Sequence, residues 1–168
     1  MGRSASRAEA ENRVSILNRE CNYSDDPTGT GADRGSASRK QILIVEDNDL
    51  NLILLNDFLE FHGYETLKTG HGREAIKLTQ DNKPDLILMD IQLPDLSGLD
   101  VTRLLKQDDQ TKCIPVIAVT GFAMPGDEAE ALKSGCDAYI AKPVILHNLL
   151  RTIDSFLSPF SPIGGQAY

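Results

Sequence analysis

The chain has 168 residues, 40% of them hydrophobic and 25% charged, which is room for one domain of roughly 100–150 residues with its own core, plus a tail. A formal net charge of −8 argues against a surface built to hold phosphate backbones, so no nucleic-acid partner is expected. Cys21, Cys113 and Cys136 are an odd set without C-x-x-C or Cys/His spacing, which suggests neither a disulfide framework nor structural zinc and fits a reducing cytoplasm; no apolar run approaches the ~20 residues of a membrane span.

Residues 1–39 offer few large apolar side chains beyond Val14, Ile16, Leu17 and Tyr23, too few to offset the entropy of ordering, so a disordered tail is expected, with a transient helix at most over Asn12 to Glu20. The opening MGRSAS fits the loose N-myristoylation pattern, which is too short to carry an assignment, and Gly29-Thr30-Gly31 lacks the preceding strand and following helix of a phosphate loop. The tail holds six Arg and six acids, so the whole −8 falls on residues 40–168. The acidity therefore belongs to the part that folds.

From Lys40 short aliphatic runs alternate with amphipathic segments. Ile42 to Val45 reads as a buried strand, and Asn51 to Phe61 carries Leu52, Leu55, Phe58 and Leu59 at a helical period with Gly63 placed to end it. The alternation continues with strand Glu65–Thr69, helix Gly72–Gln80, strand Leu86–Met89, helix Leu99–Gln107, strand Val116–Thr120, helix Asp127–Ser134, strand Ala138–Ala141 and helix Ile145–Phe156. Five strand–helix pairs predict a doubly wound α/β domain over residues 40–158, its parallel sheet covered on both faces, followed by a frayed tail over 159–168.

Ligands of such sheets bind outside the carboxyl ends of the strands. There the first strand delivers Glu46 and Asp47, the third Asp90, the fourth Thr120 and the fifth Lys142, followed by Pro143. Singly, each has an ordinary use in an N-cap, an Asx-turn or a wet surface. Together, three carboxylates on neighbouring strands raise one another's pKa unless a cation intervenes, and a few oxygen ligands with space for water suit Mg²⁺. A dinucleotide site would need a glycine-rich turn after the first strand, and VEDNDLN has none. The histidines His62, His71 and His147 share no metal spacing.

Residues 41–157 resemble the receiver domain of two-component response regulators, the CheY-like family, through LIVEDN, DLILMD with LPDLSG, AVTGFA and YIAKP in the right order. More narrowly, IVEDNDLN, NKPDLILMDIQLP and GFAMPGDE resemble the DivK-type single-domain receivers of alphaproteobacterial cell-cycle control. The resemblance implies a five-stranded parallel sheet in order 2-1-3-4-5, with Asp90 as phosphoacceptor. It further implies Mg²⁺ held by Asp47, Asp90, Glu46 and the backbone carbonyl of Gln92, and Lys142 and Thr120 contacting the phosphoryl oxygens. It also implies a Thr120–Tyr139 switch and a cis Lys142–Pro143 bond.

By that resemblance the partners are a sensor histidine kinase or phosphatase, and a downstream protein at the face made by helix Asp127–Ser134, strand Ala138–Ala141 and helix Ile145–Phe156. A phosphorylation-dependent dimer is left open. Pro94 and Gly98 read as turn chemistry only. Two other readings are an aspartate-nucleophile phosphatase of the haloacid type, which resembles this site except that Gln92 stands where the second acid would donate a proton, and a receiver that binds partners without phosphorylation.

Overall fold

A computed structural model of the chain describes residues 14–16, 39–121 and 127–158. The expectations for residues 1–13 and 17–38, MGRSAS and Gly29-Thr30-Gly31 among them, and for the C-terminal tail lie outside these residues. The elements are β1 (Val14–Ile16), β2 (Gln41–Val45), α1 (Asp49–Phe61), β3 (Glu65–Thr69), α2 (Gly72–Asn82), β4 (Leu86–Asp90), α3 (Gly98–Gln107), β5 (Val116–Thr120), α4 (Asp127–Lys133), β6 (Ala138–Ala141) and α5 (Leu146–Leu157). Among the described residues no helix is long and apolar enough to cross a membrane.

The five strands expected from the sequence form the parallel order β3-β2-β4-β5-β6, which is 2-1-3-4-5 counted over those five alone. Alternation sorts their side chains to two cores. Leu43, Val45, Ile87 and Met89 pack with Ala75, Val101, Leu105 and Ala131 of α2, α3 and α4, while Ile42, Ile44, Leu86 and Leu88 pack with Leu55, Leu59, Leu149 and Ile153 of α1 and α5. Each large side chain so buried stabilises the fold by about 1.5–3 kcal/mol.

The expectation for the N-terminal segment is corrected at one place. Val14–Ile16 is a strand, not part of a transient helix, and it adds a sixth, antiparallel member to the sheet beside β6, in register Val14↔Ile140, Ser15↔Tyr139 and Ile16↔Ala138. The physical reason is that β6 would otherwise end the sheet with unpaired N–H and C=O groups, and an alternating Val-Ser-Ile segment favours extended backbone.

Local signals end the elements where the site needs them. Asn48 caps α1, its side chain accepting from the Leu50 and Asn51 amides at 3.1 Å each, a contribution of about 1 kcal/mol. Gly63 stops the helix with φ of 88°, as its place in the sequence suggests. Tyr64 then donates to Asp154 of α5 at 2.8 Å, and burial together with that carboxylate pushes its phenol up to about 12.

Because this folded-state value is raised, the neutral phenol's stabilisation is whole below the ordinary value near 10 and is lost as pH climbs through about 12. Spectrophotometric titration should therefore show a phenolate transition near 12 that disappears in Tyr64→Phe. A difference titration with no such late transition would contradict the assignment.

Candidate functional site

Parallel register brings the charged tips level. Val45 is opposite Met89, Asp90 opposite Val119 and Thr120 opposite Ala141, so Glu46 and Asp90 emerge side by side, with Thr120 one step further along its strand and Lys142 two steps further, just past the end of its own. One carboxylate oxygen from each of Glu46, Asp47 and Asp90 lies within 4.8 Å of the others. Asp90 and Glu46 are almost fully buried, at 3% and 2% exposure, whereas Asp47 is open to solvent.

Lys142, the residue after β6, joins the cluster. Its Nζ lies 2.5 Å from Asp90 Oδ2 and 2.8 Å from Glu46 Oε2. The other Asp90 oxygen, Oδ1, accepts the Gln92 amide at 2.9 Å. The Lys142 backbone amide donates to the Thr120 carbonyl at 2.6 Å, and the Lys142–Pro143 bond is cis, as the resemblance implies. Thr120 and Tyr139 are both buried, and the ring of Tyr139 belongs to the same core layer as Ala131 and Cys136.

Burial dominates the electrostatics. It raises the Asp90 carboxyl above the ordinary carboxylate range, against the pull of Lys142 and the Gln92 amide, while Glu46 pushes in the same direction as burial. For Lys142 burial acts downward, but its bonds to Asp90 and Glu46 outweigh it and the ammonium is held above its usual range. One ammonium thus faces two buried carboxylates with a third close by. A cation bound among the three would relieve that excess of negative charge, and an all-oxygen donor set with one solvent-open member is what a hydrated Mg²⁺ accepts.

Three residues matter here that the tip pattern alone does not pick out. Asn51, in the first turn of α1, donates from Nδ2 to Glu46 Oε1 at 3.0 Å, the oxygen that also accepts from Lys142 at 3.1 Å, and so adds a second donor that fixes that carboxylate. Asn51 stands inside the VEDNDLN stretch, yet only the helix start after Asn48 turns it back toward Glu46.

Asp95, in the loop after β4, accepts the Gly72 and Arg73 amides at 2.8 and 3.0 Å and caps α2 from another loop, where the N-cap residue His71 makes no side-chain cap bond. Its carboxyl is lowered by those two amides. Gly98 is more than a turn residue: a Cβ there would stand 2.0 Å from the Asp90 carbonyl oxygen. The loop from Ile91 to Gly98 closes on itself through a Gly98 N–H to Ile91 carbonyl bond of 3.0 Å, pressed against the strand end that presents Asp90.

Of the sequence-predicted residues, the structure brings together Glu46, Asp47, Asp90 and Lys142, with Thr120 at the neighbouring strand tip and Gln92 bonded to Asp90 through its amide. His62, His71 and His147 are not part of the cluster.

Comparison with known proteins agrees with this geometry. Residues 42–154 match the response regulator receiver domain family. The polar-differentiation response regulator DivK of Brucella anthropi is 54% identical over 118 residues, 70% of this chain and 96% of that protein, and its counterpart in Brucella melitensis is 53% identical over the same length. Among solved structures, the receiver domain of a sensor histidine kinase from Pseudomonas aeruginosa, with magnesium coordinated in its active site cleft, superposes with a TM-score of 0.68 at 31% identity over 73% of this chain and all of that one. The receiver domain of Saccharomyces cerevisiae Ssk1, solved in complex with the histidine phosphotransfer protein Ypd1, gives 0.66 at 31% identity over 70% of this chain and 88% of that one. By its matched residues, its five parallel strands in order 2-1-3-4-5 and its acidic strand-tip cluster, the chain belongs to the response regulator receiver domain family of two-component signalling proteins.

Proposed function

We propose that this receiver accepts a phosphoryl group on Asp90 from a phosphohistidine and converts that event into a change of protein contacts, in cell-cycle or developmental control like the DivK proteins it is similar to. The observation that carries the reading is Asp90 buried at a strand tip with Lys142 at 2.5 Å and two further carboxylates within 4.8 Å.

The transfer breaks the P–N bond to the histidine and forms a P–O bond to an Asp90 carboxylate oxygen, leaving the imidazole as product. Lys142 favours the ionised form of Asp90 and is placed to follow the charge onto the phosphoryl oxygens. The Thr120 hydroxyl offers them a further donor. Asp47, Asp90, Glu46 and the Gln92 carbonyl would hold Mg²⁺, which when bound offsets charge on carboxylate and phosphoryl oxygens together. Asn51 limits the orientations open to Glu46.

The signal would leave through Thr120 and Tyr139 to the face of α4, β6 and α5, where a downstream partner or a second phosphorylated copy binds. A shift from mostly inactive to mostly active requires about 5.5 kcal/mol of differential stabilisation, a magnitude that several charge-assisted contacts to one phosphoryl group can approach.

The donor's docking face follows from reach. A partner histidine must approach Asp90, so its helix must settle beside the strand tips, and α1 starts there with Leu50, Ile53, Leu54 and Phe61 exposed, forming an apolar groove with Phe58 and Leu146. We assign this groove to the histidine-bearing helices of the kinase or phosphotransfer partner. Leu54→Lys should slow transfer from a phosphorylated histidine phosphotransfer domain about tenfold or more, the loss of one apolar anchor, and leave phosphorylation by acetyl phosphate unchanged. Equal rates from both donors in both proteins would remove the groove from the docking assignment.

The reaction itself is tested by intact mass after incubation with acetyl phosphate, with Mg²⁺ and with chelator. Gain of one phosphoryl mass only with Mg²⁺ is expected. Folded, Mg²⁺-binding protein that gains none would point to a module that binds partners without phosphorylation.

A further inference from the structure

We propose that the segment Val14–Ile16 is a tethered strand that fills the outer edge of β6 in cis and thereby keeps the output face closed to strand-pairing partners, a second copy of the chain in particular. The use of that face rests on the receiver reading above; the strand pairing does not.

Four observations carry it. First, β1 lies on the strand that holds Tyr139, with Ser15 directly opposite, so the segment occupies backbone at the middle of the α4–β6–α5 face. Second, an uncovered β6 would be the edge of the sheet, a row of free N–H and C=O groups that templates pairing with another chain.

Third, the connection is easy within one molecule. Because β1 runs antiparallel to β6, its last residue, Ile16, is opposite Ala138 at the amino edge of the parallel strands, the edge at which β2 begins with Gln41. The ends to be joined are four strand spacings apart, ~19 Å, and the 24 residues from 17 to 40 exceed that reach several times over, with a closure cost that grows only slowly with length. Both ends of that connection lie at the edge of the sheet opposite to the one that presents Asp90.

Fourth, the segment is additional to the family's common core. The family match begins at residue 42, and the DivK relatives, 96% covered by 118 matched residues, have no room for an equivalent. A three-residue strand makes few ladder bonds, so the cover is weak enough to be displaced and strong enough, at the high effective concentration of a tether, to win against dilute competitors.

The test uses the full chain and Ser15→Pro, which removes a strand N–H without touching β6 or the site. Hydrogen–deuterium exchange over residues 138–141 should speed up about tenfold or more in Ser15→Pro, as expected when an edge loses its cover. In the wild type the protection should not change with protein concentration. Sedimentation velocity should show the variant, unlike the wild type, associating as concentration rises.

Unchanged exchange in the variant, or wild-type protection that fades on dilution together with a dimer, would overturn the cis strand. Faster exchange without any gain in self-association would overturn its gating role. Phosphoryl gain from acetyl phosphate, read on the same samples, separates these outcomes from failure of the receiver reading: loss of mass gain in both proteins leaves the exchange result intact and overturns only the use made of the face.

Discussion

Asp90→Asn is expected to yield a folded protein that gains no phosphoryl mass from acetyl phosphate under conditions in which the wild type gains one. The amide has the shape of the carboxylate but no nucleophilic charge, so the loss should be complete rather than partial. Stability should move by about 1 kcal/mol or less, because burial already disfavours the ionised form of Asp90 and the Glu46 charge beside it adds to that cost. Lys142 retains its contact with Glu46 at 2.8 Å, so no buried ammonium is left alone.

Three readings of one sample check this: intact mass, loss of the added mass in mild base as an acyl phosphate requires, and the urea midpoint. A base-labile phosphoryl group on the Asn variant would transfer the acceptor role to Glu46 or Asp47. An unfolded variant would leave the comparison to Asp90→Glu, which keeps the charge and misplaces it by one methylene.

The second large effect is expected at a residue with no functional group. In Gly98→Ala the new Cβ would lie 2.0 Å from the Asp90 carbonyl oxygen, 2.9 Å from the Asp90 carbonyl carbon and 2.9 Å from Met89 Cγ. Two of those atoms are backbone of β4, which is buried along all five residues and cannot retreat without disturbing both cores. A loss of about 3 kcal/mol or more is expected, at the upper end of what overpacking costs.

The variant should also phosphorylate more slowly at temperatures where it remains folded, because the displaced atoms belong to the residue that carries the acceptor. Gly121→Ala is the control: among the described residues the nearest non-local atom to its added Cβ is Gln92 Oε1 at 3.8 Å, an ordinary contact. Urea midpoints of the two variants within experimental scatter of each other would show that the loop after β4 yields freely, contrary to the close packing described.

How much could be read from the chain beforehand depended on distance along it. Aliphatic runs such as LILM are local, and so is the 3.6-residue spacing of Leu52, Leu55 and Leu59; these determine element type and the face each residue presents, and every strand and helix expected after Lys40 is present within a few residues of its expected ends. The charged tips were legible for the same reason, since each follows directly on its own strand. Val14–Ile16 was misread because three residues carry too little periodicity to tell helix from strand, and their state is decided by the open edge of β6 more than a hundred residues away.

Sequence alone therefore determined the alternating α/β pattern, the residues delivered to the carboxyl edge and, through their order and motifs, the receiver resemblance. Tertiary structure decided what those residues touch. Lys142 reaches Glu46 across 96 residues of chain, Asp95 caps a helix 22 and 23 residues earlier, Asn51 turns back onto Glu46, and Gly98 admits the Asp90 carbonyl. Hydrophobic period specifies a face but not a register; the register, and with it every distance in the site, comes from packing two cores against one sheet at once.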